Sequence, residues 1–535
     1  MQAATRDSVA HGGERTPLST ARGIFSTNWD MADPQIPSPP LRWFPEFLAA
    51  SGRRLRPQSR VLALSLVVGV IAGLGAVAFY VAGQAVFRYT LTTFAGYEPV
   101  EAGGEARLFA DGDGAREGER QRPFPRTLRP WLLVLIPALG GLLCGLIVYT
   151  WAPEAEGHGT DAAIAAFHYK DGEIRPRVPI VKMIASAITL GTGGSGGREG
   201  PIAQIGAGFG SFLGTVLNLR PSERRLLMAA GMGAGIGAIF RAPLAGTLFA
   251  AEVMYSSADI ESDVLMPAAL GSVTAYSTFG LVFGWQPLFV IPPRVAELLV
   301  FDHPLELAAY LLLAVAMAVL AMLYTRTFYG LTYALHRLPF NPKLRPMVGA
   351  GLSGLLAVAL YYAFGQDQRV LSVLSFGYGI LQQALEYEPG SGGALRLAVI
   401  LLVVAVGKIL TTSLTIGSGG SAGVFGASMV IGGCAGGALG MALHHFVPAL
   451  VPHPASFVIV GMAGFFAAAA KTPLSTLVMV SEMTGNYNLL LPALWVCTLS
   501  FLLSDQQSIY HEQVVDRLAS PVHGALRKGI APLQD

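Results

Sequence analysis

Apolar residues run in blocks along this chain from about Val61 to Leu503, and only short polar breaks separate most of the blocks. Crossing a hydrocarbon core of about 30 Å as helix takes about 20 such residues. Val61–Phe87, Trp131–Trp151, Leu305–Tyr324, Met347–Phe364 and Leu397–Ile416 meet that length and are predicted spanning helices. Val178–Leu190, Leu227–Phe240 and Phe457–Ala470 are shorter and interrupted by glycine or proline, which fits broken or re-entrant helices. Irregular backbone survives at membrane depth only where protein buries it or where it lines an aqueous cavity. Many broken segments therefore predict a path through the molecule.

The pattern repeats. Lys182 followed by Gly-Thr-Gly-Gly-Ser-Gly-Gly (191–197) is echoed at one constant offset by Lys408 and Gly-Ser-Gly-Gly-Ser-Ala-Gly (417–423). Gly231-Met232, Ala242-Pro243-Leu244 and Glu252 are echoed by Gly461-Met462, Thr472-Pro473-Leu474 and Glu482. Two homologous halves are the economical explanation, and paired interrupted segments in two halves point to a substrate site near the midplane between them. We expect an all-α membrane fold of two inverted halves of broken, tilted helices, residues 60–290 and 304–520.

Composition agrees: 52% of the 535 residues are hydrophobic and 13% charged, far fewer charges than soluble domains carry. The 36 basic and 34 acidic side chains nearly cancel, leaving no global basic surface for nucleic acid. Cys144, Cys434 and Cys497 lie far apart inside apolar segments, without disulfide or metal-ligand spacing, and are expected to pack in the core. Residues 1–55 hold no apolar run of the signal-peptide kind and are expected to form a flexible cytosolic tail. Arg53, Arg54, Arg56 and Arg60 before the first span favour a cytoplasmic N-terminus. The Gly-rich loop from Glu98 to Arg126 is then extracytoplasmic and expected to be partly disordered. A short stretch follows the last apolar segment, with a cytosolic tail expected at 521–535 and no C-terminal regulatory domain expected.

The glycine-rich turns place helix N-termini, with free amides and positive dipole ends, where the halves meet, and such ends bind anions. Close packing by small residues is the alternative use of the same glycines. Glu199 stands at the first turn, in Gly197-Arg198-Glu199-Gly200-Pro201. A bare carboxylate in the membrane costs roughly 2.5 kcal/mol or more unless satisfied. It is expected to act as a tethered competitor that occupies the anion site when ionised and leaves it when protonated. The alternative is a structural ion pair with Arg198 or Lys182.

Gly197-Arg198-Glu199-Gly200-Pro201, Gly423-Val424-Phe425 and Ser508-Ile509-Tyr510, taken with the repeat, resemble the CLC family of chloride channels and chloride/proton exchangers over roughly residues 60–520. The resemblance is to the prokaryotic type without C-terminal CBS domains. It implies that Glu199 is the gating glutamate and that the Val424 and Phe425 amides and the Tyr510 hydroxyl bind chloride. Neutral donors of this kind can replace part of an anion's hydration without locking it in place; for Phe425 and Tyr510 a core-packing role is the alternative. It also implies a homodimer in the cell membrane, with chloride as the transported ligand and no cofactor.

Three departures from the family pattern matter. Gly157-His158-Gly159-Thr160-Asp161 stands where Gly-Ser-Gly-Ile-Pro is usual, so an imidazole replaces the serine hydroxyl expected at the inner anion site. His158 is either an anion ligand whose protonation makes binding pH-dependent or a neutral side chain packed at the mouth. Val253 holds the position where proton-coupled members carry a proton-relaying glutamate, and Glu252 beside it, matched by Glu482, reads as a structural acid. Gly426-Ala427-Ser428 replaces a common Ala-Pro and carries little weight. With Val253 unable to hold a proton, passive or loosely coupled chloride conduction gated by Glu199 is the expectation, and chloride/proton exchange the alternative. Two distant readings are an intramembrane serine protease using Ser195 or Ser421, which would need a base such as His158 or His168, and a carrier for an organic solute, which would call for a roomier site.

Overall fold

The computed structural model describes residues 57–105, 108, 127–339, 341–389, 393–504 and 507–523. The tail carrying Arg53, Arg54 and Arg56, most of the Glu98–Arg126 loop and most of the 521–535 tail lie outside them. Among the described residues the regular elements are helices. The first half comprises α1 (Pro57–Phe87), α2 (Leu132–Trp151), α3 (Thr160–Tyr169), α4 (Arg177–Gly191), α5 (Glu199–Val216), α6 (Pro221–Ile239), α7 (Pro243–Glu252) and α8 (Ser262–Phe283). A short α9 (Pro293–Leu298) links it to α10 (Glu306–His336), α11 (Arg345–Ala363), α12 (Tyr378–Leu385), α13 (Ala394–Gly417), α14 (Phe425–Phe446), α15 (Ala455–Ala470), α16 (Pro473–Thr484) and α17 (Leu490–Leu503).

Among the described residues seven helices are long and apolar enough to cross a membrane: α1, α2, α8, α10, α11, α13 and α14, some with a short extension. Five are the spans the apolar runs predict. α8 and α14 are additional; Pro267 and scattered small and polar residues interrupt the apolar run of the first, and glycines dilute the second, which packs against protein along most of its length. Proline in the first turn of α6, α7, α11 and α16 sets φ where its missing N–H costs nothing.

Helix for helix, α10 to α17 repeat α1 to α8, down to backbone detail. Gly193 and Gly419 hold φ of 101° and 100° in the two glycine-rich turns, a conformation L side chains rarely adopt. Arg241 and Lys471 hold 56° and 60° just before α7 and α16. The halves run in opposite senses. The Glu252 carboxylate at the end of α7 accepts from the Leu474 and Ser475 amides at the start of α16, at 2.9 and 2.7 Å. Glu482 near the end of α16 accepts from Leu244 and Ala245 at the start of α7, at 3.2 and 2.8 Å. Each acid thus satisfies amides that a helix start leaves without partners. Glu252→Ala is expected to lower stability by about 2 kcal/mol, as loss of a strong cap does, read as an earlier thermal unfolding midpoint in detergent. An unchanged midpoint would remove the cap.

α1 carries the chain from one face of the molecule to the other. Its starting face gathers Arg60 on Glu223, Arg175 on Glu154, Arg225 on Asp171 and Arg517 on Glu261. We call this the basic face. The opposite face carries the segment 96–105, Val290 and Gln382, which bind one another through Gly103 N to Gln382 Oε1 (3.0 Å) and Gln382 Nε2 to Val290 O (2.7 Å).

Candidate anion site

Halfway between the faces the starts of α5 and α14 meet. Gly197 and Gly423 exchange backbone hydrogen bonds, N to O at 2.6 and 2.7 Å, in an isolated antiparallel bridge. Two helix N-termini from opposite halves therefore converge on one buried point, as the repeat predicts. Gly200 lies against Gly423, and Pro201 sits in the first turn of α5.

Glu199, 2% exposed, reaches across this junction. Its Oε2 accepts from the Gly426 amide at 3.0 Å, so the carboxylate occupies the N-terminus of α14. Its Oε1 accepts from the Tyr378 hydroxyl at the start of α12. Among the described residues no ion pair includes Glu199, and the ion-pair alternative fails for both suggested partners. Arg198 pairs instead with Glu105 of the opposite-face segment and lies over the rings of Phe376, Tyr80 and Tyr378 at 4.6, 5.2 and 5.5 Å. Lys182 Nζ, fully buried, donates to the Gly157 and Ala155 carbonyls at 2.7 and 3.1 Å. Its repeat mate Lys408 does the same for the Ser375 and Ser372 carbonyls at 2.7 and 3.2 Å. Each lysine holds the turn that leads into a short helix, α3 or α12.

Beside Arg198 and Glu105, a cavity of 630 Å³ lined by Gly103, Glu105, Arg241 and Trp285 opens toward the opposite face. Toward the basic face, the junction is followed by Tyr510, which is 2% exposed and bonded to Thr160. The terminal segment that carries Tyr510 is tied down by Ile509 N to Ala469 O (2.8 Å) and by Tyr329 Oη to Ile509 O (2.6 Å). The Phe425 ring packs on Phe466, Phe240 and Phe249 at 4.1, 4.7 and 6.2 Å. Its ring is thus a core aromatic, while its amide stays at the start of α14. His158 lies 5.4 Å from the Tyr510 ring, with Nε2 3.2 Å from Asp161 Oδ2. Gly159, at φ +84°, turns the chain into α3 directly after it.

The structure brings Glu199, Val424, Phe425, Tyr510 and His158 around one line between the faces. Val253 is fully buried at the end of α7, and its carbonyl accepts from Gln513 Nε2 at 3.0 Å. Ser195 is committed to Thr412 and Thr411 at 2.9 and 3.1 Å, and Ser421 to Ala155 O and Ser186 at 2.8 and 2.9 Å. Their partners are structural, and neither hydroxyl meets a histidine base among the described residues. Motif reasoning did not single out Tyr378 or Glu105. Tyr378 was within reach of it, because α12 is the repeat mate of α3 and starts at the same junction.

The profile of the family described as "Voltage gated chloride channel" matches residues 140–505. The chain is 29% identical over 384 residues to a "Putative chloride channel protein ClcB-like" of Ralstonia nicotianae, covering 70% of this chain and 83% of that protein. It is 30% identical over 378 residues to the "H(+)/Cl(-) exchange transporter ClcA" of Yersinia pestis bv. Antiqua, covering 69% and 74%. The crystal structure of a slow cyanobacterial Cl-/H+ antiporter superposes with a TM-score of 0.68 at 21% identity, over 90% of this chain and 99% of that one. At that identity the likeness speaks for the fold.

Proposed function

The chain belongs to the voltage-gated chloride channel family, and we propose that it carries chloride across a bilayer in exchange for protons. The observation behind this reading is the place of the Glu199 carboxylate. It sits at the N-terminus of α14, where its charge is favoured by the same amides and dipole that would hold an anion. A proton on Glu199 cancels that charge and weakens its hold, and chloride can then take its place. One position that accepts either a protein carboxylate or a chloride, under control of one proton, links the two ions. In this reading Val424 and Phe425 offer amides, Tyr510 its hydroxyl and His158 a ring nitrogen. Gly157, Gly159, Gly197, Gly200, Pro201 and Gly423 shape the backbone between them, and Arg198 is held out of the site by Glu105.

Val253 favours passive conduction, since its side chain holds no proton. The 30% identity to an H(+)/Cl(-) exchange transporter favours exchange, and we follow the relative because a proton can travel on other groups. The basic face is the cytoplasmic one in this reading, by the concentration of arginine at that end of the spans. Assembly as a homodimer, implied by the resemblance, belongs to the same proposal.

Vesicles containing the purified chain and loaded with high chloride test it. Downhill chloride efflux should drive protons uphill into the vesicles, and chloride efflux without proton movement would defeat the exchange reading.

Tyr378→Phe removes the one side-chain donor on Glu199 and leaves the backbone amides. A hydrogen bond to a charged group is worth about 1.5–3 kcal/mol, so the carboxylate should vacate the site more readily. Chloride flux is expected to rise by roughly tenfold at neutral pH with the proton-to-chloride ratio retained. An unaltered flux would make the hydroxyl a bystander.

A further inference from the structure

An exchanger must pass protons between Glu199 and the basic face, and Val253 leaves the side chain for that step unassigned. The motif that departs from the family pattern supplies two titratable groups in one place. His158 and Asp161 lie one turn apart at the start of α3, joined by the 3.2 Å contact between Nε2 and Oδ2. The other ring nitrogen, Nδ1, finds no hydrogen-bond partner among the described residues although His158 is only 7% exposed. Such an orphan costs about 1–3 kcal/mol unless something meets it. The ring lies against Tyr510, and the His158 carbonyl faces Gly200, the residue after Glu199. Asp161 stands on the solvent side of the pair, its side chain 23% exposed and its carboxylate accepting from the His511 and Glu512 amides at 3.3 Å.

We propose that Asp161 and His158 are the proton-loading pair on the basic face of the transporter. This rests on the exchange reading above. Asp161 takes a proton from bulk water and passes it to His158 Nε2. The imidazolium releases its other proton from Nδ1 into the water of the anion path toward Glu199, so one N–H forms as one breaks and the ring ends neutral. While protonated, the ring is also a cation beside the path, which favours entry of chloride at the same moment. The other titratable groups around the pair are Lys182 behind the turn, Tyr510 against the ring, and Tyr329, His511 and Glu512 around Asp161. His511 is stacked on Tyr329 at 3.5 Å, and Lys182 is bound to carbonyls, whereas His158 and Asp161 touch each other within one turn at the start of α3.

Proton and chloride fluxes measured in the same vesicles test the pair, with wild type, Asp161→Asn, Asp161→Glu and His158→Gln side by side. Asp161→Asn is expected to lower the proton-to-chloride ratio by about tenfold or more, as loss of a positioned proton-transfer group does, with Asp161→Glu restoring it. His158→Gln should lower the ratio at least as far, and it carries the test if Asp161→Asn yields no chloride flux. Wild-type ratios in both Asp161→Asn and His158→Gln would overturn the pair while exchange stands. A wild type that moves no protons would overturn exchange and the pair together.

Discussion

Glu199→Ala is expected to raise chloride flux at neutral pH by roughly ten- to a hundredfold and to flatten its dependence on pH. The carboxylate is held at the start of α14 by the Gly426 amide and the Tyr378 hydroxyl. Displacing a charged acceptor from such donors costs about 1.5–3 kcal/mol, and each 1.36 kcal/mol is a factor of ten in rate. In wild type, acid protonates Glu199 and frees the helix end, so flux rises as pH falls. With alanine there is nothing to protonate and the high flux persists at every pH. Glu199→Gln, neutral and of nearly the same shape, should behave like the protonated wild type. Chloride efflux from vesicles across a range of pH reads both variants, and wild-type rates with a wild-type pH profile would take Glu199 out of the gate.

Gly423→Ala should do the reverse and cut transport by about tenfold or more. A Cβ there would stand 2.7 Å from the Gly200 nitrogen, 2.9 Å from the Gly197 oxygen and 3.1 Å from Pro201 Cδ. Those neighbours are backbone and a proline ring, and none can rotate away. Overpacking of this kind typically costs about 1–3 kcal/mol. Here the strain is relieved only by parting the starts of α5 and α14, which separates the amides of one half from Glu199 of the other. Gly330→Ala on α10 is the control, since an added Cβ there meets nothing within 4 Å. It should transport like wild type; Gly423→Ala transporting equally well would mean that the bridge is dispensable.

Much of the fold was legible because membrane spans that face lipid are uniformly apolar. α1, α2, α10 and α11 announce themselves this way, and α13 does so by an unbroken apolar run although most of it is buried in protein. α14 does not, since most of it is buried in protein, where glycine and serine serve close packing. The midplane junction was legible from the repeat, and Glu199, Val424, Phe425 and Tyr510 from the motifs at its edges. The partners of Glu199 were not. Arg198 is its neighbour in sequence, yet consecutive residues on a helix point in different directions, and the arginine turns to Glu105 in a distant loop. Tyr378 enters from the other half of the chain. Asp161 was visible only as a departure from a pattern, and its meaning depends on His158 lying within 3.2 Å.

Exchange through Glu199 is the central claim, and the reversal potential tests it most directly. The purified chain in liposomes is held under a fixed chloride gradient, first at symmetrical pH and then with an opposing proton gradient. The potential is predicted to move away from the chloride equilibrium value when the proton gradient is applied, and to return to it in Glu199→Ala. A wild-type potential that follows chloride alone under both conditions would mean a passive pathway, with Val253 the truer guide.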